Sequence, residues 1–314
     1  MEYKYQVHPD LASKVKMVSF GKLKFTPVLI AVVNFFSLFV SLFAIYDSKL
    51  NTKKFKIKGY LSGKILLTVF SRKNVNKATP ALLLFHGGGF FLKGMANSYH
   101  IAKFYAKNAN TTVIYIDYRL APKYPFPYAI EDAYQALLWV NEHAEVLGID
   151  RKKIAVTGDS AGGMIAATLP YMTRDRKGPK ILFQMLIYPV IDSKIITASM
   201  EEFDDTPVWN SNLTKQMWKY YVTTKRSKPD YTSLLTMESY LGLPPLYIEP
   251  QEFDCLRDEA LEYAKILENS QVQVQCNLVR GSFHGADIFF KTEFVKNLLL
   301  NRISILKEAY NSNE

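Results

Sequence analysis

The chain has 314 residues, of which 48% are hydrophobic, 14% aromatic and 22% charged, an ordinary globular balance with room for one large domain and a sizeable core. Its net charge of +10 is spread from Lys4 to Lys307 without a basic block or zinc-finger spacing, which argues against nucleic acid and leaves solubility or weak attraction to anionic membrane surfaces. Two cysteines, Cys255 and Cys276, exclude a disulfide framework or a cysteine metal cluster and suit a reducing, cytoplasmic compartment.

From Pro27 to Tyr46 the chain carries no charge, a run long enough for a membrane span of roughly 20 residues. Lysines flank both ends (Lys22 and Lys24; Lys49, Lys53 and Lys54), so charge sets no orientation, and Asn34, Ser37 and Ser41 form one polar stripe at helical spacing. A signal peptide fits poorly, because a long segment precedes the run and no clean small-residue cleavage site follows it. Two readings follow: a helix packed on the protein's own surface, or a membrane anchor that would hold the chain at a bilayer.

Beyond it, Lys54 to Tyr60 and Ile65 to Phe70 alternate at the strand period around a turn at Ser62-Gly63, the pattern of an antiparallel hairpin. Short apolar runs then recur at Ala81 to Phe85, Thr112 to Ile116, Ile154 to Thr157, Ile181 to Tyr188, Leu246 to Glu249 and Val272 to Val279. Helical patterns lie between or after them at Tyr128 to Ala144, Ala161 to Arg174, Asp258 to Asn269 and about Asp287 to Ala309. Such alternation predicts an α/β fold, a parallel sheet covered on both faces. Residues 1–53 are expected to supply cap helices or an anchor, and residues 54–314 the main domain, interrupted at about 191–243 by a cap insertion.

Within this rhythm, Gly158-Asp-Ser-Ala-Gly162 sits where an apolar strand gives way to an Ala-rich helix. Alone it is as well read as a plain turn, but the flanking glycines allow a sharp strand-to-helix turn that lifts the Ser160 hydroxyl off the sheet edge. Upstream, His86-Gly-Gly-Gly89 follows another strand. Three glycines make poor core filling; they free backbone N–H groups to face a developing oxyanion, or else form a flexible turn. A serine nucleophile needs a base and a group to orient it. Of five histidines, His8 and His100 lie away from the expected loops, His86 supports the glycine loop, and His143 sits at the end of a charged helix. His284 remains, after the last strand. Asp254, after the preceding strand, is placed to orient it, whereas its rival Asp258 suits the first turn of the next helix. Serine, acid, histidine is the order of the α/β-hydrolase fold.

Four motifs together resemble the hormone-sensitive lipase-like branch of the α/β-hydrolases, which includes bacterial carboxylesterases and arylacetamide deacetylases. They are His86 to Phe90; Asp117 to Pro122 with Phe126-Pro127 and Glu131 to Ala133; Gly158 to Gly163; and Asp254 to Asp258 with His284-Gly285. The resemblance covers roughly residues 54 to 308. It implies an eight-stranded, mostly parallel sheet with a helical cap, and hydrolysis of carboxylic esters without a cofactor or metal. Carried across, Ser160 attacks, His284 moves the proton, Asp254 orients His284, and the backbone N–H groups of Gly88, Gly89 and Ala161 form the oxyanion hole. Arg119 is expected to pair within the scaffold and Asp159 to brace nearby loops.

Met164, Lys123 and Ala286 depart from the branch's usual residues, which bears on pocket shape more than on chemistry. Among the cap aromatics, Phe203, Trp209, Trp218, Tyr220 and Tyr221 are candidates for an acyl pocket or for ordinary core. The expected substrate is a small-molecule ester of short or medium acyl chain, or lipid-derived if the N-terminal helix is an anchor. An amidase or deacetylase on the same site is the alternative, and a non-catalytic binding protein on this scaffold is the remote one.

Overall fold

The computed structural model describes residues 4–18, 23–223 and 230–312. Two helices open the chain, α1 (Pro9–Val18) and α2 (Pro27–Ala44), followed by the antiparallel strands β1 (Leu50–Lys58) and β2 (Lys64–Arg72). The alternating part runs β3 (Thr79–Phe85), α3 (Ala96–Asn108), β4 (Thr112–Asp117), α4 (Tyr128–Glu142), α5 (Ala144–Leu147), β5 (Ile149–Asp159), α6 (Ala161–Asp175) and β6 (Phe183–Ile187). Two short helices follow, α7 (Ala198–Glu202) and α8 (Ser211–Tyr221). The chain then returns through β7 (Leu246–Glu249), β8 (Gln251–Phe253), α9 (Arg257–Asn269), β9 (Val274–Cys276), β10 (Val279–Phe283) and α10 (Glu293–Asn311). Helix α3 lies where the sequence pattern marks none, whereas α1 falls in the segment expected to supply helices or an anchor.

Eight strands form one sheet in the order β1-β2-β4-β3-β5-β6-β7-β9, antiparallel about β2 and parallel from β4 onward. This is the α/β-hydrolase architecture. The central strands are buried on both faces, which is why they read as unbroken apolar runs instead of alternating ones. Ala81, Leu83 and Phe85 of β3 pack with Leu137 of α4, Leu169 of α6 and Tyr263 of α9. Leu82 and Leu84 point to the opposite core, with Tyr105 of α3, Leu306 of α10 and Leu11 of α1.

The run from Val272 to Val279, expected as one strand, is two. Pro250, between β7 and β8, has no N–H to continue a ladder, and its carbonyl accepts from Val279 N at 2.9 Å. The chain therefore leaves the main sheet after β9, and β10 pairs in parallel with β8 as a separate ribbon. The last helix also starts later than expected: residues Ala286–Phe289 form a 3-10 turn, and α10 begins after Thr292, whose hydroxyl caps Val295 N.

The N-terminal apolar run is a helix lying on its own chain. Thr26 caps it by accepting from Leu29 N, and Ile30 and Ser41 are buried. Among the described residues, no helix is long and apolar enough to cross a membrane. Its entry is held by α8: Phe25 N donates to Gln216 Oε1 at 2.8 Å, and Tyr220 Oη donates to Phe25 O at 2.6 Å.

Candidate active site

Ser160 stands at the turn from β5 into α6 with φ 55° and ψ −121°, a conformation costly for a residue with a side chain. Surrounding hydrogen bonds hold it there: Ser160 N donates to Ile187 O, and Val190 N to Ser160 O, both at 3.0 Å. Glycine is required on either side. A Cβ at Gly158 would collide with the Gly162 carbonyl, and one at Gly162 with the carbonyl of Phe85, so the turn closes only with bare backbone.

His284 follows β10 and Asp254 follows β8, so the parallel pairing of these two strands sets the loops side by side. His284 Nε2 lies 2.9 Å from Ser160 Oγ, and His284 Nδ1 lies 2.8 Å from Asp254 Oδ2. Asp254 Oδ1 is fixed separately by Leu256 N at 2.9 Å. All three side chains are buried. The imidazole packs with Tyr188, at 4.9 Å between ring centres, and with Trp209, at 6.0 Å.

The glycine loop runs directly beside the serine. A Cβ at Gly87 would lie 3.2 Å from Ser160 Cβ, and Gly88 and Gly89 have φ of 111° and 59°, backbone open chiefly to glycine. Ala161 is the first residue of α6, so its N–H is among those a helix leaves unpaired at its start. The glycine loop thus meets the serine through Gly87, with Gly88 and Gly89 next in the chain, and Ala161 follows the serine at the start of α6.

A family model described as the alpha/beta hydrolase fold matches residues 82–288. The chain belongs to this family. Among curated relatives, it is similar to carboxylesterase NlhH of Mycobacterium tuberculosis, 36% identical over 211 residues, which is 66% of this chain and 66% of that protein. It is also similar to ethyl acetate hydrolase of Pseudomonas putida, 33% identical over 212 residues, again 66% of each. The matched stretch is thus about two thirds of each relative's length. Likeness to solved structures extends further: a bacterial heroin esterase superposes with TM-score 0.88 at 30% identity over 98% of both chains. An esterase of the archaeon Pyrobaculum calidifontis gives TM-score 0.84 at 29% identity over 96% of this chain and 98% of its own. These relatives are of the carboxylesterase type.

The remaining site residues of this hydrolase have scaffold contacts. His86 is buried, its Nδ1–H donates to Gly87 O at 2.7 Å, and its ring stacks on Tyr118 at 4.4 Å. Burial holds its imidazole below the ordinary value, which suits a neutral ring supporting the loop. Asp159 accepts from Gly87 N at 3.1 Å; burial, then the nearby Asp287, raise its pKa to about 7. Arg119 pairs with Asp132 at 2.6 Å and donates to Tyr60 O, within the scaffold. Asp258 accepts from Ser199 N of the cap at 2.7 Å and pairs with Arg257, away from His284. His143 is half-buried against Trp139 and is less solvated than its helix-end position suggests.

Of the aromatics between Phe203 and Tyr221, Trp209 lies against the glycine loop: a Cβ at Gly89 would lie 2.6 Å from its Cη2. Tyr221 stacks on Phe90 at 3.8 Å, and Phe203 packs on Tyr5, so these two serve as core. Two contacts were not legible in the motifs. Asn34 of α2 binds the chain just beyond the glycine loop, donating to Phe91 O at 2.8 Å and accepting from Lys93 N at 2.7 Å. Arg302 of α10 joins Glu249 and Asp287 in a buried cluster behind the site.

Proposed function

We propose that the chain is a serine carboxylesterase acting on small esters of short or medium acyl chain, acetyl esters included. The observation that carries the reading is the unbroken relay from Asp254 Oδ2 to His284 to Ser160 Oγ, with both links within 2.9 Å. In it, the Ser160 hydroxyl gives its proton to His284 Nε2 as Oγ attacks the ester carbonyl, while Nδ1–H donates to Asp254 and keeps Nε2 free to accept. The developing oxyanion is met by the backbone N–H groups of Gly88, Gly89 and Ala161. His284 returns the proton to the leaving alcohol; water then gives a proton to His284 Nε2 as it attacks the acyl carbonyl, and Ser160 Oγ leaves with that proton, releasing the acid.

The small substrate is argued from the buried triad. In this reading the described residues within 1–53 and about 191–243 act as a cap over the strand ends of the main domain, and Trp209 lies against Gly89. Relatives named for ethyl acetate and for heroin, both ester substrates, support an acyl pocket of this size.

Labelling with a fluorophosphonate probe tests the mechanism: wild type takes the label and Ser160→Ala does not, while a label that survives this substitution rejects it. His284→Ala lowers kcat by several orders of magnitude, on the order of 10³ or more. A nitrophenyl ester series from acetate to palmitate tests the pocket. Turnover falls beyond medium chains, and Trp209→Ala moves that limit to longer ones.

A further inference from the structure

Helix α2 is turned inside out. Its polar residues face the protein: Asn34 is bonded to the backbone of Phe91 and Lys93, Ser41 is buried, and Ser37 is half-buried. Its aromatic residues face outward. Val28, Phe35, Phe36, Phe39 and Phe43 are 59–74% exposed, and Tyr46 just beyond the helix is 77% exposed. A surface helix in water carries the opposite pattern, with its polar side to solvent. Phe35 with Phe36, and Phe39 with Phe43, meet edge to face at 6.0 and 5.6 Å, so the outward surface is a continuous apolar ridge. Ridges of this kind on a soluble fold mark an interaction surface.

Charge indicates the occupant. At the C-terminal end of α2, Lys103 Nζ donates to Ala44 O at 2.6 Å and to Tyr46 O at 3.1 Å. Lys103, Lys107 and Lys291 all act electrostatically on the same half-buried His100, with Asp47, paired to Lys107, opposing them. Exposed Lys24 precedes the helix and exposed Lys49 follows it. An uncharged aromatic ridge bordered at its ends by lysines fits the boundary between acyl chains and anionic headgroups.

We propose that α2 is a one-sided membrane-docking surface, its aromatic ridge inserted among the acyl chains of an anionic lipid leaflet and its polar side kept on the protein. The helix lies on the bilayer and does not span it. Its inner side is occupied by the contacts to Phe91, Lys93 and Lys103, so lipid can reach only the outer side. This inference concerns where the molecule sits and is independent of the proposed ester chemistry, because its readout is binding.

The full chain is sedimented with vesicles of phosphatidylcholine alone and of equal parts phosphatidylcholine and phosphatidylglycerol. Wild type sediments with the mixed vesicles, more weakly with phosphatidylcholine, and is released by alkaline carbonate. The variant Phe35→Gln/Phe39→Gln/Phe43→Gln binds the mixed vesicles about tenfold less while keeping the wild-type circular dichroism spectrum and a cooperative melt, which certifies its fold. If that variant fails to fold, Lys24→Gln/Lys49→Gln serves: it loses the preference for the anionic vesicles. Equal binding by wild type and the phenylalanine variant overturns the proposal, as does wild type that stays in the supernatant. Retention through carbonate means a spanning helix instead. A wild-type dimer that the phenylalanine variant converts to monomer, with neither form binding vesicles, assigns the ridge to a second copy of the chain.

Discussion

Asp254 makes two separable contributions, and a single-atom change distinguishes them. Its Oδ1 accepts from Leu256 N and fixes the loop, whereas Oδ2 accepts from His284 Nδ1–H. In Asp254→Asn the loop bond survives, but an amide facing Nδ1 favours the wrong imidazole tautomer, so kcat is expected to fall by about 10⁴ with KM little changed. Steady-state kinetics on a nitrophenyl acetate check this; a loss below about tenfold would remove Asp254 from the proposed relay. Asp159, one residue before the serine, behaves differently. In the fold burial lifts its pKa to about 7, while an unfolded aspartate titrates at about 4. The folded state therefore binds the proton more tightly, and this contribution to stability is complete below about pH 4 and is lost as pH rises through about 7. Asp159→Asn keeps an acceptor for Gly87 N without that loss. Between roughly pH 5 and pH 8 the wild type should lose several degrees of Tm that the asparagine variant retains. Parallel melting curves at the two pH values would contradict the assignment.

The elements were legible to unequal degrees, and the reasons are physical. The expected runs at β3, β4 and β7 match closely because strands buried on both faces must be apolar throughout. Helix α6 was equally clear, since the glycines of the turn abut an Ala-rich segment buried along most of its length. The β9–β10 region was misread because Val272 to Val279 is apolar enough for one strand, and nothing in that run records the break made by Pro250 upstream. Ser160, Asp254 and His284 are selected through their order and their loops, and the fold brings the three side chains together. Asn34 was visible only as a polar residue in an apolar helix; that it grips the chain after the glycine loop depends on tertiary contact. This contact makes α2 a brace for the proposed oxyanion donors. In Asn34→Ala, Phe91 O and Lys93 N lose their partner, at a cost of about 1–3 kcal/mol. Denaturant unfolding should register that loss, and kcat should fall more than KM rises if the loop's position matters for the transition state. Unchanged kcat would limit Asn34 to holding the helix.

At the scale of the whole molecule, the core that α10 shares with the sheet carries a buried charge, Arg302. From α10 it reaches Glu249 at the end of β7 and Asp287 in the turn after His284, donating at 3.0 and 2.7 Å, and Tyr188 Oη donates to the same Asp287 at 3.2 Å. Burial works against the guanidinium charge, but the fields of Asp287 and Glu249 outweigh it and raise its pKa well above the ordinary value. The C-terminal helix is thereby tied to the loop that carries His284. Such a cluster is a poor source of net stability, because desolvating three charged groups offsets most of their attraction, yet removing one member is costly. Arg302→Leu leaves two carboxylates buried near each other with no cation, and should cost about 3–5 kcal/mol. The loss should appear in chemical denaturation as a lower midpoint with an unchanged slope. Adding Glu249→Gln to that variant removes one uncompensated charge, so the double variant should be more stable than Arg302→Leu alone. If it is instead weaker by the sum of the two single losses, the three side chains are not energetically coupled, and α10 is held to the His284 loop by apolar packing alone.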